Sequence, residues 1–177
     1  MERLTHKTDW TIWKFKDPDG KIARALQSGM SMEEALRVFS DSFKGKEEME
    51  GNVGLNEGLQ ELIRLIASTD GSPVKWDASN AYCGVGDSST PAAATDTGLL
   101  GSNKAYKAMD SGYPVRVAQT CEWRSTYGST EANFAWNEYT VSNSNSDAGK
   151  NLCRKVESKG TKAAGETWTL SLQVTFS

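Results

Sequence analysis

Histidine is nearly absent: His6 is the only one in 177 residues. That excludes zinc sites of the His-rich type, and it leaves Ser-His and Cys-His catalysis almost nothing to stand on. Cysteine is scarce as well. Cys83, Cys121 and Cys153 are odd in number, show no CxxC spacing and sit in apolar-rich, strand-like stretches. They read as small buried hydrophobes, with a disulfide between two of them as the alternative. No apolar run approaches the ~20 residues of a membrane span, and the opening MERLTHKTDW lacks the apolar region of a signal peptide. The chain is therefore expected to be made in the cytosol and to stay soluble, with no membrane partner. Charge of one sign is missing too: 20 basic and 23 acidic residues are mixed along the length, for a net charge of -3. Without a basic stripe to neutralise phosphates, nucleic acid is not an expected partner.

The length suits one domain with an appendage. A chain of this size buries roughly 70% of its unfolded surface, so it needs no metal or disulfide staple. The first fifty residues differ from the rest. WTIWKFK alternates at Trp10 and Ile12, less cleanly at Trp13 and Phe15, and is cut by Asp17-Pro18-Asp19-Gly20, a strong turn signal. A small hairpin or an extended arm follows. Ser31 with Glu34 three residues later makes a capping-box pattern, and Met32, Ala35, Leu36, Phe39 and Phe43 fall at helical spacing. KGKEEMEGN reads as a charged linker. In LNEGLQELIRLIAS, the stripe Leu55, Leu59, Leu62, Ile63 and Ile66 predicts a helix closing a core, with Asn56 as N-cap. Gly58 weakens that helix by up to ~1 kcal/mol relative to alanine, which points to a close neighbour there.

After Gly71 the period becomes two. In TWTLSLQVTF, Trp168, Leu170, Leu172, Val174 and Phe176 alternate with polar residues, the mark of a half-buried antiparallel strand. VRVAQTCEWRSTY reads as another, with Val115, Val117, Cys121 and Trp123 inside and Arg116, Glu122 and Arg124 outside. NAYCGVG, KAYKAM, NFAWNEYTV and NLCRKVES complete about six strands, and SNSNSDAGK is a solvated hairpin loop. A series of strands without intervening helices predicts a mainly β fold, an antiparallel β-sandwich with a packed helix and an N-terminal arm and helix extension. The expected division is residues 1–50 as extension and 51–177 as helix plus sandwich.

Gly84-Val85-Gly86 followed by a serine-threonine corner suggests a phosphate loop at first sight. The Walker pattern then needs Gly-Lys-Ser/Thr, which does not follow. A dinucleotide fingerprint needs a third glycine opening a helix, but position 89 is serine and Pro91 removes an N–H. Asp87 and Asp96 lack calcium-loop spacing around them. The stretch reads as strand, long ordered crossover, strand.

Taken together, LNEGLQELIRLI, NAYCGVGDSSTPAAATDTGL, KAMDSGYP, EANFAWNEYTV and NLCRKVESKGTKAAGETWTLSLQV resemble a structural-protein family of tailed bacteriophages. The resemblance covers about residues 51 to 177. It implies a virion protein, either capsid decoration (cement) or a tail-fibre or baseplate component. The expected partners are the major capsid protein and further copies of the chain, as a trimer. Trp10, Ile12, Trp13 and Phe15 are the expected partner-binding anchors if the first residues form an arm; otherwise they fold back onto the domain. Glu131 and Glu138 could serve as an acid–base pair on glycans, or as a solvated edge or salt bridge. The family position of Glu138, in Trp-Asn-Glu, implies a structural role. No catalytic residue, cofactor or metal ligand is expected. A carbohydrate-binding face of Trp76, Trp123 and Trp136 is the third reading, although alternation turns Trp123 inward.

Overall fold

The computed structural model describes residues 6–67 and 71–177. In chain order they form β1 (His6–Lys16), α1 (Lys21–Gln27), α2 (Met32–Val38), β2 (Phe43–Glu50), β3 (Val53–Gly54) and α3 (Asn56–Ala67). There follow β4 (Tyr82–Gly86), β5 (Lys104–Ala108), β6 (Val115–Val117), β7 (Thr120–Tyr127), β8 (Glu138–Ser142), β9 (Asn151–Val156) and β10 (Glu166–Phe176). These strands make two antiparallel five-stranded sheets, ordered β2-β1-β10-β7-β6 and β3-β9-β8-β4-β5. The mainly β class expected from the period-two segments is met, with the strand complement of a β-sandwich. The chain divides into two compact units. One comprises Met1–Gly51, Met109–Asn133 and Lys162–Ser177, the other Asn52–Ala108 and Phe134–Thr161.

In the first unit, β1 is not an arm. It pairs along its full length with β10, from His6 opposite Phe176 to Lys16 opposite Glu166, and its other edge pairs with β2. Trp10 and Ile12 lie opposite Leu172 and Leu170, and all four are 0% exposed. Phe15 is on the other face, clustered with Ile22, Leu26 and Ala35, and half-buried Trp13 packs against that cluster. Trp10, Ile12 and Phe15 of the expected anchors are thus core residues and Trp13 is half-buried beside them; residues 1–5 of the expected arm lie outside the described residues. KGKEEMEGN is not a linker either, since its first seven residues form most of β2. Its charges suit the edge of a sheet, where lysine and glutamate discourage pairing with other chains.

Local signals around the two short helices act as read. Ser31 Oγ accepts the Glu34 N–H at 3.1 Å, but α2 ends at Val38 and a 3-10 turn takes over at Ser40–Ser42. Asp17 accepts the N–H groups of Ile22 and Ala23 at 3.1 and 2.9 Å and the Thr167 hydroxyl at 2.7 Å. The turn is thereby fixed and α1 follows it directly.

Two expectations for the strands change. VRVAQTCEWRSTY is a hairpin, not one strand: β6 and β7 meet at Val117–Thr120, with Ala118 at φ 50° in the turn. The reversal leaves Val117 70% exposed while Arg124 is 1% exposed. The polar face of β10 is also buried at Thr167, Thr169 and Ser171. Polar partners make this possible: Thr169 bonds the Thr126 hydroxyl at 3.0 Å, and Ser171 donates to Glu122 at 2.7 Å. Together with β1 to β3, the split brings the strand count to ten among the described residues, against about six expected.

Because Trp10 is a core residue, Trp10→Ala will destabilise the isolated protein by about 3–5 kcal/mol. Denaturant unfolding of the purified variant checks this. An unchanged midpoint would return Trp10 to the role of a surface anchor.

Candidate functional site

In the second unit, the crossover that follows Gly84-Val85-Gly86 wraps around one carboxylate. Glu138 opens β8 and is 0% exposed, as is Arg154 on β9. Glu138 Oε2 receives Arg154 Nε at 2.8 Å and Nη2 at 2.7 Å, and the Leu100 N–H at 3.0 Å. Its Oε1 accepts from the Gly101 N–H at 2.6 Å, with the Ser88 N–H at 3.4 Å. Arg154 continues outward to Asp96 at 2.9 Å and to the Thr90 carbonyl at 3.1 Å. A buried charge pair is tolerable only when its remaining hydrogen-bonding positions are filled, and here the crossover 87–103 fills them. Gly86 and Gly101 are needed because a Cβ at either would lie within 3 Å of the Glu138 side chain. Of the two glycines in Gly84-Val85-Gly86, Gly86 makes room for the carboxylate, while Gly84 lies against Thr140 and Tyr106.

The same unit anchors its crossover a second time. Asp147 accepts from Lys104 and from the Tyr106 hydroxyl. Burial pushes the Asp147 carboxyl up, but these two hydrogen bonds and the Lys104 charge outweigh it and hold it below the usual carboxylate range. Burial and the Asp147 charge push the Tyr106 phenol up.

The first unit repeats the device. Arg124 donates from Nε to Asp110 at 2.9 Å and from Nη2 to the Met30 carbonyl at 3.0 Å. Its guanidinium sits 4.2 Å from the Tyr113 ring centroid. Asp110 also accepts the Thr126 hydroxyl at 2.7 Å. Lys162, 0% exposed, donates to the carbonyls of Gly128 and Glu131 at 2.7 and 2.9 Å and to Asn133 Oδ1 at 2.8 Å. These ions close loops. Glu131, the other half of the proposed acid–base pair, accepts the Gly128 N–H at 2.7 Å within its own turn.

The aromatic face does not form as an open platform: Trp76, Trp123 and Trp136 are all buried, and Trp76 donates to the Lys150 carbonyl at 3.1 Å. All three cysteines are thiols. Cys83 and Cys153 are buried, and burial pushes the Cys153 thiol up to about 12, so it behaves as a small hydrophobe.

Among the described residues, α3 presents an exposed apolar face. The stripe expected to close a core does so only in part: Leu55 is buried and Leu62 half-buried, but Leu59, Ile63 and Ile66 face outward at 48%, 61% and 73% exposed. The buried side of α3 is polar. Glu57 accepts the Asn151 N–H at 2.8 Å and its side-chain amide at 3.1 Å. Glu61 accepts the Val74 N–H and an Arg64 N–H, each at 2.6 Å. Gly58 lies so close to β9 that a Cβ would come within 3 Å of the Asn151 and Leu152 backbone, the close neighbour its presence in a helix suggests. The helix starts on the Leu55 carbonyl, which accepts the Leu59 N–H at 2.9 Å, and Asn56 is already its first residue. A shallow apolar depression runs along Leu59, Gln60, Ile63 and Arg64.

Compared with known protein families, with curated proteins and with solved structures, the chain matches none. What it does has to be read from its own residues.

Two outcomes follow from the ion networks. Arg154→Met leaves Glu138 buried and uncompensated, so it should destabilise by about 3–5 kcal/mol. Amide hydrogen exchange should quicken first at Leu100 and Gly101; unchanged protection there would show that Glu138 does not hold the crossover. Asp147 has its folded pKa below its unfolded value, so its contribution is full above the ordinary carboxylate range and is lost as pH falls through the lowered folded value. Asp147→Asn should therefore lower stability at neutral pH and shallow the loss on the acid side, read by thermal melts across an acid pH series.

Proposed function

We propose that this chain is a virion structural protein of a tailed bacteriophage, a capsid decoration protein that associates with the major capsid protein lattice and with copies of itself. The observation that carries this reading is the outward apolar face of α3. A helix fixed by Glu57, Gly58 and Glu61 keeps Leu59, Ile63 and Ile66 in water. Covering such side chains yields roughly 1.5–3 kcal/mol each, and repetition over a symmetric shell multiplies weak contacts into avidity.

The charged groups support the same reading. Glu138, Arg154, Asp110 and Arg124 each bond loops to strands within their own unit, and Lys162 bonds loop to loop, which suits a rigid plug valued for shape and adhesion. The virion setting of this proposal rests on the resemblance read in the sequence over residues 51 to 177. Cement proteins need what this chain combines, a stiff β scaffold and a sticky face.

Copy number in purified particles tests the assignment. Hundreds of copies per virion, together with binding of added protein to undecorated shells, is the expected result. A count of a few to a dozen or so would move the chain to the tail, as a fibre or baseplate component, and its absence from particles would end the virion reading.

A further inference from the structure

We infer that the partner covering α3 is α3 of a second copy of this chain, packed antiparallel across a two-fold axis. This rests on reading the chain as an assembly protein and names what that surface meets. Six residues of α3 are exposed: Asn56, Leu59, Gln60, Ile63, Ile66 and Ala67. None is charged. Glu57 and Glu61 are bound on its other side, and Arg64, which borders the depression, is paired with Glu61. The seam residues themselves carry no charge and Arg64 is held by Glu61, so two such seams meet without like charges opposed along them.

Spacing selects a helix as the occupant. Asn56, Leu59, Ile63 and Ile66 recur at intervals of three, four and three, the a/d pattern of a helix–helix seam. Only a surface with the same repeat offers holes for these knobs along the whole length, about 18 Å for twelve residues. Antiparallel packing sets Leu59 of one copy against Ile63 of the other, and the reverse, while Asn56 and Ile66 meet at the two ends. Asn56, the polar member, thus falls where water reaches. The opposed helix dipoles also favour this direction. A two-fold contact closes on itself, and each copy leaves the rest of its surface open for the lattice.

The test uses the full chain and its Ile63→Glu variant in sedimentation equilibrium across the micromolar range. Ile63 is 61% exposed, so the variant should keep the parent's melting behaviour in dilute solution. The expected result is a wild-type dimer whose dissociation constant rises more than about tenfold in the variant. A second experiment reads the register in a Cys121→Ser background. Leu59→Cys chains mixed with Ile63→Cys chains should oxidise to a cross-linked pair faster than either alone, because a disulfide requires the two Cβ atoms about 4 Å apart. A wild-type monomer at every concentration, a trimer, a dimer indifferent to Ile63→Glu, or no gain on mixing would each overturn the pairing. The two readings fail separately. A monomer that still decorates shells sinks only the α3 pair, and a dimer absent from virions sinks only the virion assignment.

Discussion

A carboxylate in a protein interior must have its lone pairs occupied, and Glu138 shows how much structure that requirement dictates. Taking an ion from water costs several kcal/mol even after relaxation. The chain offsets this with Arg154 and with backbone N–H groups from a crossover that has little regular structure of its own. The crossover is then as fixed as the strands. Gly86 and Gly101 belong to the same arrangement, since any side chain there would occupy the space of the carboxylate. Asp110 with Arg124 and Asp17 with the start of α1 apply the rule in the first unit.

This use of charge bears on chemistry as well as stability. A carboxylate acts as a general acid or base only through a lone pair or proton left free for the substrate. Glu138 and Asp110 have their oxygens committed to donors within their own unit, and the three Lys162 bonds run to protein oxygens. Residues that looked in the sequence like the makings of a site are the fastenings of loops. The adhesive role we propose therefore rests on apolar surface instead of on these charges.

Most strands were legible because burial on one face leaves a period-two trace, as in Trp168 through Phe176. The trace vanished where its physical cause did. The strand 43–50 lies at a sheet edge, where charge protects against aggregation, so its composition matches that of a linker. The 115–127 segment kept its alternation through a two-residue turn, and Val115 and Val117 changed sides unseen. Arg124 and Thr169 were read as outward because alternation reports polarity, not burial, and a polar face can be buried when Asp110 or Thr126 lies opposite it. The glycines around Glu138 were visible as glycines; their purpose was not, since the carboxylate and the guanidinium come from β8 and β9, far along the chain.

Helix α3 shows the limit most sharply. Periodicity defines an apolar side of a helix but not which way that side points. The information lay on the opposite side. At about 100° per residue, Gly58 and Glu61 sit roughly 140° and 160° round the helix from Ile63. A glycine facing solvent would weaken the helix for nothing, whereas against the backbone of β9 it permits an approach no other residue allows. Two glutamates beside it capture the Asn151 and Val74 N–H groups. Polar bonds and close approach therefore seat the helix without help from its isoleucines. One exposed isoleucine is ordinary in any protein; a whole seam of aliphatic side chains, uncharged from end to end, stays hydrated only until a matching surface displaces the water.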